Sequence, residues 1–114
     1  AKPVLEKHIQ KDICEYLHEQ GYFFWRSNNI PVFGRNNAGY STFRSMPRFT
    51  PKGIPDIIVI QHGKFIGLEV KRPKGTMRPE QIDFGKKLIQ NGGYYYVVTS
   101  VEQVKKVLYD HESN

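Results

Sequence analysis

The stretch GIPDIIVIQHGKFIGLEVKRPKG, residues 53–75, constrains the fold more than any other part of the chain. Two apolar runs flank a His-Gly pair, which predicts a tight β-hairpin with strands at about 54–60 and about 64–71. One face of this hairpin is uniformly apolar and is expected to pack on a helix; its residues are Ile57, Val59, Ile66, Leu68 and Val70.

The other face of the hairpin carries charged residues whose positions follow from the turn. With a two-residue turn at 62–63, Gln61 pairs with Lys64, and counting outward places Asp56 directly opposite Glu69. Alternation of side chains then puts Lys71 on the same face. A turn that is one residue longer or shorter would separate the two acids, so this prediction depends on the register.

Opposed like charges destabilise a sheet, so the two acids need a positive partner. Lys71 could supply it as a plain ion pair. The two carboxylates and the Val70 carbonyl also match the hard oxygen ligands that Mg²⁺ and Mn²⁺ prefer. Gly67, opposite Ile58, is expected to leave open space beside the acids. The plainer alternative is a half-exposed sheet with two solvent-facing acids.

The remaining pattern predicts the order α-β-β-β-α-β-α and an α/β fold with a mixed central sheet, because a strand reached through a helix commonly returns parallel. Residues 28–52 are predicted to be a long functional or mobile loop. The other predicted elements are a helix over residues 4–19, a strand over about 22–27, a helix from Pro79 to about Gln90 with Ile82, Leu88 and Ile89 inside, the strand YYYVVTS, and the helix VEQVKKVLYDHE capped by Thr99 or Ser100.

Charge and composition narrow the class of protein. Residues 1–114 are interpreted as a single domain, with no membrane-spanning run and no leader, so a cytoplasmic location is expected. The formal net charge is +6, and no acid occurs between residues 20 and 55, which favours a polyanionic partner. The predicted nucleic-acid contacts are Arg26, Arg35, Arg44, Arg48, Lys52, Arg72, Lys74 and Arg78.

The spacing of the acids resembles the PD-(D/E)xK nuclease motif. Pro55-Asp56 is followed thirteen residues later by Glu69-Val70-Lys71, on the next predicted strand. Glu6 and Gln10 on the first helix, together with WRSNN, GIPD, LEVK, RPEQIDF and GGYYYVVTS, resemble a stand-alone VRR-NUC domain along nearly the full length.

The resemblance implies a restriction-endonuclease-like core that hydrolyses DNA phosphodiester bonds. Asp56, Glu69 and the Val70 carbonyl would hold Mg²⁺ or Mn²⁺, and Lys71 would orient or activate the attacking water. Gln81 would complete the catalytic group. Glu6 would hold a second ion, although Glu15 lies on the same helix and the choice between them stays open.

The resemblance also implies a homodimer that acts on branched DNA, such as a four-way (Holliday) junction or a flap, without an organic cofactor or a membrane partner. Two alternatives use the same fold. One is a catalytically inactive nucleic-acid-binding module, and the other is a sequence-specific restriction-type endonuclease. The tyrosines of GGYYYVV are interpreted as core residues rather than as a catalytic group.

Overall fold

A computed structural model describes residues 4–27, 32–35, 41–44 and 48–112, with only the backbone of residues 32–35 and 41–44. The elements in chain order are α1 (Glu6–Glu19), β1 (Phe23–Arg26), β2 (Val32–Arg35), β3 (Ser41–Arg44), β4 (Ile57–Gln61), β5 (Lys64–Val70), α2 (Pro79–Gln90), β6 (Tyr94–Val98) and α3 (Val101–Asp110).

Four of the strands form one mixed sheet in the order β1-β4-β5-β6. The β1–β4 and β4–β5 pairs are antiparallel, whereas β5 and β6 are parallel because α2 carries the chain back across the sheet. This arrangement confirms the predicted α/β class, the mixed central sheet and the order α-β-β-β-α-β-α for the main layer. Among the described residues, no helix is both long and apolar enough to cross a membrane.

The prediction of an unbroken loop over residues 28–52 is wrong. Strands β2 and β3 form a second, two-stranded antiparallel sheet in this segment, with Val32 opposite Arg44 and Phe33 opposite Phe43. Each strand has only four residues, too few for an alternating pattern to stand out among the surrounding glycines and prolines.

The β4–β5 hairpin has the predicted register. Gln61 pairs with Lys64 and Ile58 pairs with Gly67. The two turn residues both have left-handed backbone angles, with φ of 50° at His62 and 77° at Gly63, as a type I′ turn requires. The strands are slightly shorter than predicted, so Asp56 lies just before β4 and Lys71 just after β5.

The core lies between α1, α3 and the apolar face of the sheet, as the hairpin pattern predicts. Ile13 and Leu17 of α1 and Leu108 of α3 are fully buried, as are the four inward residues Ile57, Val59, Ile66 and Leu68 of the hairpin. Helix α3 begins at the predicted cap, where the Ser100 hydroxyl accepts a hydrogen bond from the Gln103 amide at 3.2 Å.

Helix α2 packs on the opposite face of the sheet, the face that carries the acids. A Cβ atom at Gly85 would lie 2.7 Å from the Tyr95 ring, so the helix backbone lies directly on that ring. The predicted inner positions of Ile82 and Ile89 are wrong, because these side chains are 45% and 58% exposed. The glycine allows its own side of the helix to approach the sheet, and this turns the two isoleucines outward.

Candidate active site

Asp56 is held at the open end of the hairpin by the neighbouring strand. Its Oδ2 accepts a hydrogen bond from the Val70 amide at 2.8 Å, which continues the β4–β5 pairing past its last paired residues, Ile57 and Leu68. In an extended strand, the N–H and C=O of one residue point to the same edge. The Val70 carbonyl therefore faces the side of β5 on which Asp56 lies.

Glu69 is the buried centre of the site, with a side chain that is 2% exposed. Its Oε2 accepts a hydrogen bond from Gln81 Nε2 at 3.1 Å. Its Oε1 is also buried, and no hydrogen-bond donor of the described residues reaches it. One oxygen of this carboxyl group is therefore supported by the protein, and the other is left for a proton or a ligand.

The pKa of Glu69 is raised to about 9. Burial is the largest cause, followed by the hydrogen bond to Asp56 and the negative charge of Asp56, while the positive charge of Lys71 acts in the opposite direction. The two carboxyl groups are close enough to share a proton. Without a cation, Glu69 is therefore protonated at neutral pH, as expected when two acids meet in a buried place.

Lys71 lies beside Glu69 and is nearly as buried, with 7% of the residue exposed. Its Nζ is 3.9 Å from Glu69 Oε2, a distance at which the two groups attract each other when Glu69 is ionised but which is too long for a hydrogen bond. The Lys71 amide donates to the Val98 carbonyl at 2.9 Å, which fixes the residue just beyond β5. The lysine is therefore held in the site without being tightly bound to one oxygen.

Gln81 joins the first turn of α2 to the acids. Its Oε1 accepts a hydrogen bond from the Arg78 amide at 2.9 Å, while its Nε2 donates to Glu69. The amide therefore caps the helix and supports Glu69 at once. This is the inward position that the spacing to Gly85 and Leu88 indicates.

Two glycines bring the GIPD segment into place. A Cβ atom at Gly53, where φ is +78°, would overlap the carbonyl of Glu80, so the backbone of residue 53 packs on the first turn of α2. At Gly67, a Cβ atom would lie 2.7 Å from the Pro55 ring. The prediction that Gly67 leaves open space beside the acids is therefore wrong, because Pro55 and Leu88 occupy that space. The contact of Pro55 with Gly67 helps to position the next residue, Asp56.

Of the two candidate acids on α1, Glu6 is the one near the site. It is the first residue of the helix, and its charge contributes to the raised pKa of Glu69. Glu15 is exposed and lies 4.0 Å from Lys11 on the same helix.

Sequence reasoning missed Tyr95, which borders the acids on β6. Its hydroxyl is buried and has no hydrogen-bond partner among the described residues. Burial raises the pKa of this phenol, and the charges of Glu69 and Asp56 raise it further. The parallel pairing of Tyr95 with Gly67 puts it on the face of the acids, a relation that requires the β5–β6 register.

The structure describes the side chains of six of the eight predicted nucleic-acid contacts. Arg26 donates from Nη2 to Gln10 Oε1 at 2.8 Å, and the Arg48 guanidinium lies 4.9 Å from the centre of the Phe49 ring. The side chains of Arg35 and Arg44 lie outside the described residues. The remaining four are exposed, and three of them lie on the segment that leads from Lys71 to α2; they are Lys52, Arg72, Lys74 and Arg78.

The residues present fit a hard divalent cation. Asp56, Glu69 and the carbonyl of Val70 converge, and the buried Glu69 Oε1 has no donor among the described residues. The described chain has no cluster of three or more His, Cys, Asp or Glu residues that could hold a metal, so such an ion would depend on the two acids, the carbonyl and water.

Comparison with known proteins gives agreement at the level of structure. No sequence profile of a protein family and no curated protein sequence matches this chain. A solved VRR_NUC domain superposes with a TM-score of 0.61 at 23% identity, covering 91% of this chain and 94% of that chain. A second solved structure, a VRR_NUC domain protein, gives a TM-score of 0.65 at 16% identity, covering 95% and 88%. The chain therefore has the fold of these VRR_NUC domains, a PD-(D/E)xK-like fold.

Proposed function

We propose that this chain is a VRR-NUC nuclease that hydrolyses phosphodiester bonds in DNA with the help of Mg²⁺ or Mn²⁺. The observation that carries the proposal is the convergence of Asp56, Glu69 and Lys71, supported by Gln81, at one end of a hairpin in this fold. A sheet that only needed stability would have no use for two adjoining acids beside a buried lysine.

Asp56, Glu69 and the Val70 carbonyl would hold the cation, and Glu6 would hold a second ion or its waters. A bound divalent cation lowers the pKa of water and neutralises charge on the phosphate. Glu69 would bind the ion as a carboxylate, having given its proton to water, and the hydrogen bond from Gln81 would keep that carboxylate oriented. Lys71 is a compact cation beside the same carboxylate, and we assign it the orientation of the attacking water and the stabilisation of charge on phosphorus.

The substrate proposed for this site is branched DNA, such as a four-way junction or a flap. The exposed basic residues near the acids suit phosphate contacts, which give affinity without reading bases. Three of them, Arg72, Lys74 and Arg78, lie between Lys71 and the helix that carries Gln81. Backbone contacts of this kind favour recognition of DNA structure over recognition of sequence.

A homodimer is part of the proposal, because branched DNA presents two strands to cut. An aromatic surface, formed by Phe23, Trp25 and Phe65, supports it. The ring centres are 6.0 Å apart for Phe23 and Trp25 and 6.5 Å apart for Trp25 and Phe65, and the first two residues are 69% and 43% exposed. Exposed rings in one patch are typical of a protein interface.

The dimer is tested by size-exclusion chromatography with light scattering, which measures the molar mass of the eluting protein. The aromatic surface predicts that Trp25→Ser yields a monomer and that Phe49→Ser, at a ring that is 92% exposed and does not belong to this surface, stays dimeric. A wild-type protein that is monomeric at micromolar concentration contradicts this part of the proposal and leaves the nuclease assignment standing.

The nuclease assignment is tested by incubating the protein with four-way, flap, single-stranded and duplex DNA in Mg²⁺ or Mn²⁺. Wild type is expected to cut branched DNA, while Asp56→Ala and Lys71→Ala lose most of the activity. Glu6→Ala and Glu15→Ala form a matched pair on one helix, of which only the first should lose activity. Folded mutants of Asp56 and Lys71 that cut as well as wild type would refute the mechanism.

The same assay separates the two alternatives. An inactive binding module would retard DNA in a gel without cutting it in any metal. A restriction-type enzyme would cut plain duplex at fixed sequences and would not prefer a branch.

A further inference from the structure

The hydroxyl of Tyr95 is a buried polar group without a use in the fold. The ring packs on the backbone of Gly85, so close that a Cβ atom there would lie 2.7 Å from ring carbon Cδ2. A phenylalanine would make the same contact. The hydroxyl is nevertheless buried, and none of the described residues is hydrogen-bonded to it. Burying such a group without a partner costs free energy, so its presence calls for an explanation.

A second buried oxygen atom that accepts no hydrogen bond from the described residues belongs to a side chain on the same face of the sheet. Glu69 Oε1 receives no hydrogen bond from the described residues. Strand pairing puts Tyr95 opposite Gly67, two residues before Glu69 and on the same face of the sheet. The charges of Glu69 and Asp56 both raise the pKa of the phenol, which shows that its oxygen lies within range of the two acids.

The two oxygens of the Glu69 carboxyl group are supported unequally. Gln81 donates a hydrogen bond to Oε2, and no described residue donates one to Oε1. A carboxylate that holds a cation is itself usually oriented by hydrogen bonds from neighbouring groups. A neutral phenol is a donor of the required kind.

We propose that Tyr95 is a positioning residue of the acid site, whose hydroxyl donates a hydrogen bond to ionised Glu69, directly or through one water, and so orients that carboxylate toward a divalent cation. This inference rests on the proposed function, because it takes the cation site as given. Groups that orient metal ligands in this way typically change metal affinity by about 10- to 100-fold when they are removed.

The test is Mn²⁺ binding by isothermal titration calorimetry, with Tyr95→Phe beside wild type. The variant keeps the ring on Gly85 and loses only the hydroxyl, so we expect Mn²⁺ affinity to fall by about 10- to 100-fold. The melting temperature without Mn²⁺ should stay the same or rise, because an unpaired buried hydroxyl is removed.

Tyr96→Phe is the matched control, because it removes the same atom from the next residue of the same strand. Tyr96 faces the other side of the sheet, where its hydroxyl lies 2.6 Å from His111 Nε2. This variant should bind Mn²⁺ as wild type does and melt at a lower temperature, since it loses an existing hydrogen bond.

The outcomes are distinct. If Tyr95→Phe binds Mn²⁺ as tightly as wild type, or if it melts much lower or fails to fold, the hydroxyl does not position Glu69 and the inference is overturned. If wild type itself binds no Mn²⁺, the proposed function and this inference fail together.

Discussion

The raised pKa of Glu69 makes the affinity of the site for a cation dependent on pH. A cation binds the ionised carboxylate, whereas the cation-free site keeps a proton up to about pH 9. Because pH 7 lies two units below this pKa, a cation that binds at pH 7 must displace the proton of Glu69. At about 1.36 kcal/mol per unit, this costs about 2.7 kcal/mol, or about 100-fold in affinity.

Affinity for Mg²⁺ should consequently rise about tenfold per pH unit between pH 7 and pH 9 and level off above that value. Each bound ion should release about one proton at pH 7 and almost none well above pH 9. Calorimetry of Mg²⁺ binding in buffers with different heats of ionisation measures both quantities. Glu69→Gln is the control, because its binding should be weak and independent of pH over this range.

Affinity that is flat between pH 7 and pH 9, with no proton released, would contradict a protonated Glu69 in the cation-free site. Such a result would mean that Glu69 is already ionised without a cation, so that Lys71 alone compensates the two acids. The site would then be the plain ion pair that the sequence leaves open as an alternative.

Three further predictions concern stability and support of the site. The pKa of Glu69 is higher in the folded than in the unfolded protein, so its protonation stabilises the fold fully below about pH 4.5, and this stabilisation is lost as the pH rises to about 9. In thermal melts without metal, Glu69→Gln should therefore be more stable than wild type at pH 8 and should lose that advantage near pH 4.5. Gln81→Ala removes the hydrogen bonds to Glu69 and to the Arg78 amide. Urea unfolding should show that the free energy of unfolding falls by about 1–2 kcal/mol, and nuclease assays should show a loss of activity. An unchanged free energy of unfolding would contradict the capping role. Gly53→Ala should cost more than Gly21→Ala in the same assay, because both residues have φ of +78° but only the added Cβ at residue 53 meets backbone; equal losses would argue against the contact with Glu80.

The hairpin and its acids could be predicted from the sequence because their geometry is local. The turn at His62 and Gly63 fixes the register, and the period of two in a strand then decides which side chains face each other. The shared face of Asp56, Glu69 and Lys71 follows from that one count.

The parts that could not be predicted depend on contacts between distant segments. The side of α2 that faces the sheet is decided by the fit of Gly85 on Tyr95, and the apolar pattern of the helix alone favours Ile82 and Ile89. The space beside Gly67 is filled by Pro55 and Leu88, which no count along one hairpin reveals. Tyr95 reaches the acids only through the parallel β5–β6 pairing across α2.

The central claim is that Asp56 and Glu69 bind a divalent cation with which the protein hydrolyses DNA. The most direct measurement is single-turnover cleavage of a labelled four-way junction in Mg²⁺, in EDTA, and by Glu69→Gln in Mg²⁺. Only wild type in Mg²⁺ is expected to cleave the junction. Equal cleavage in EDTA, or by a folded Glu69→Gln protein, would contradict the central claim.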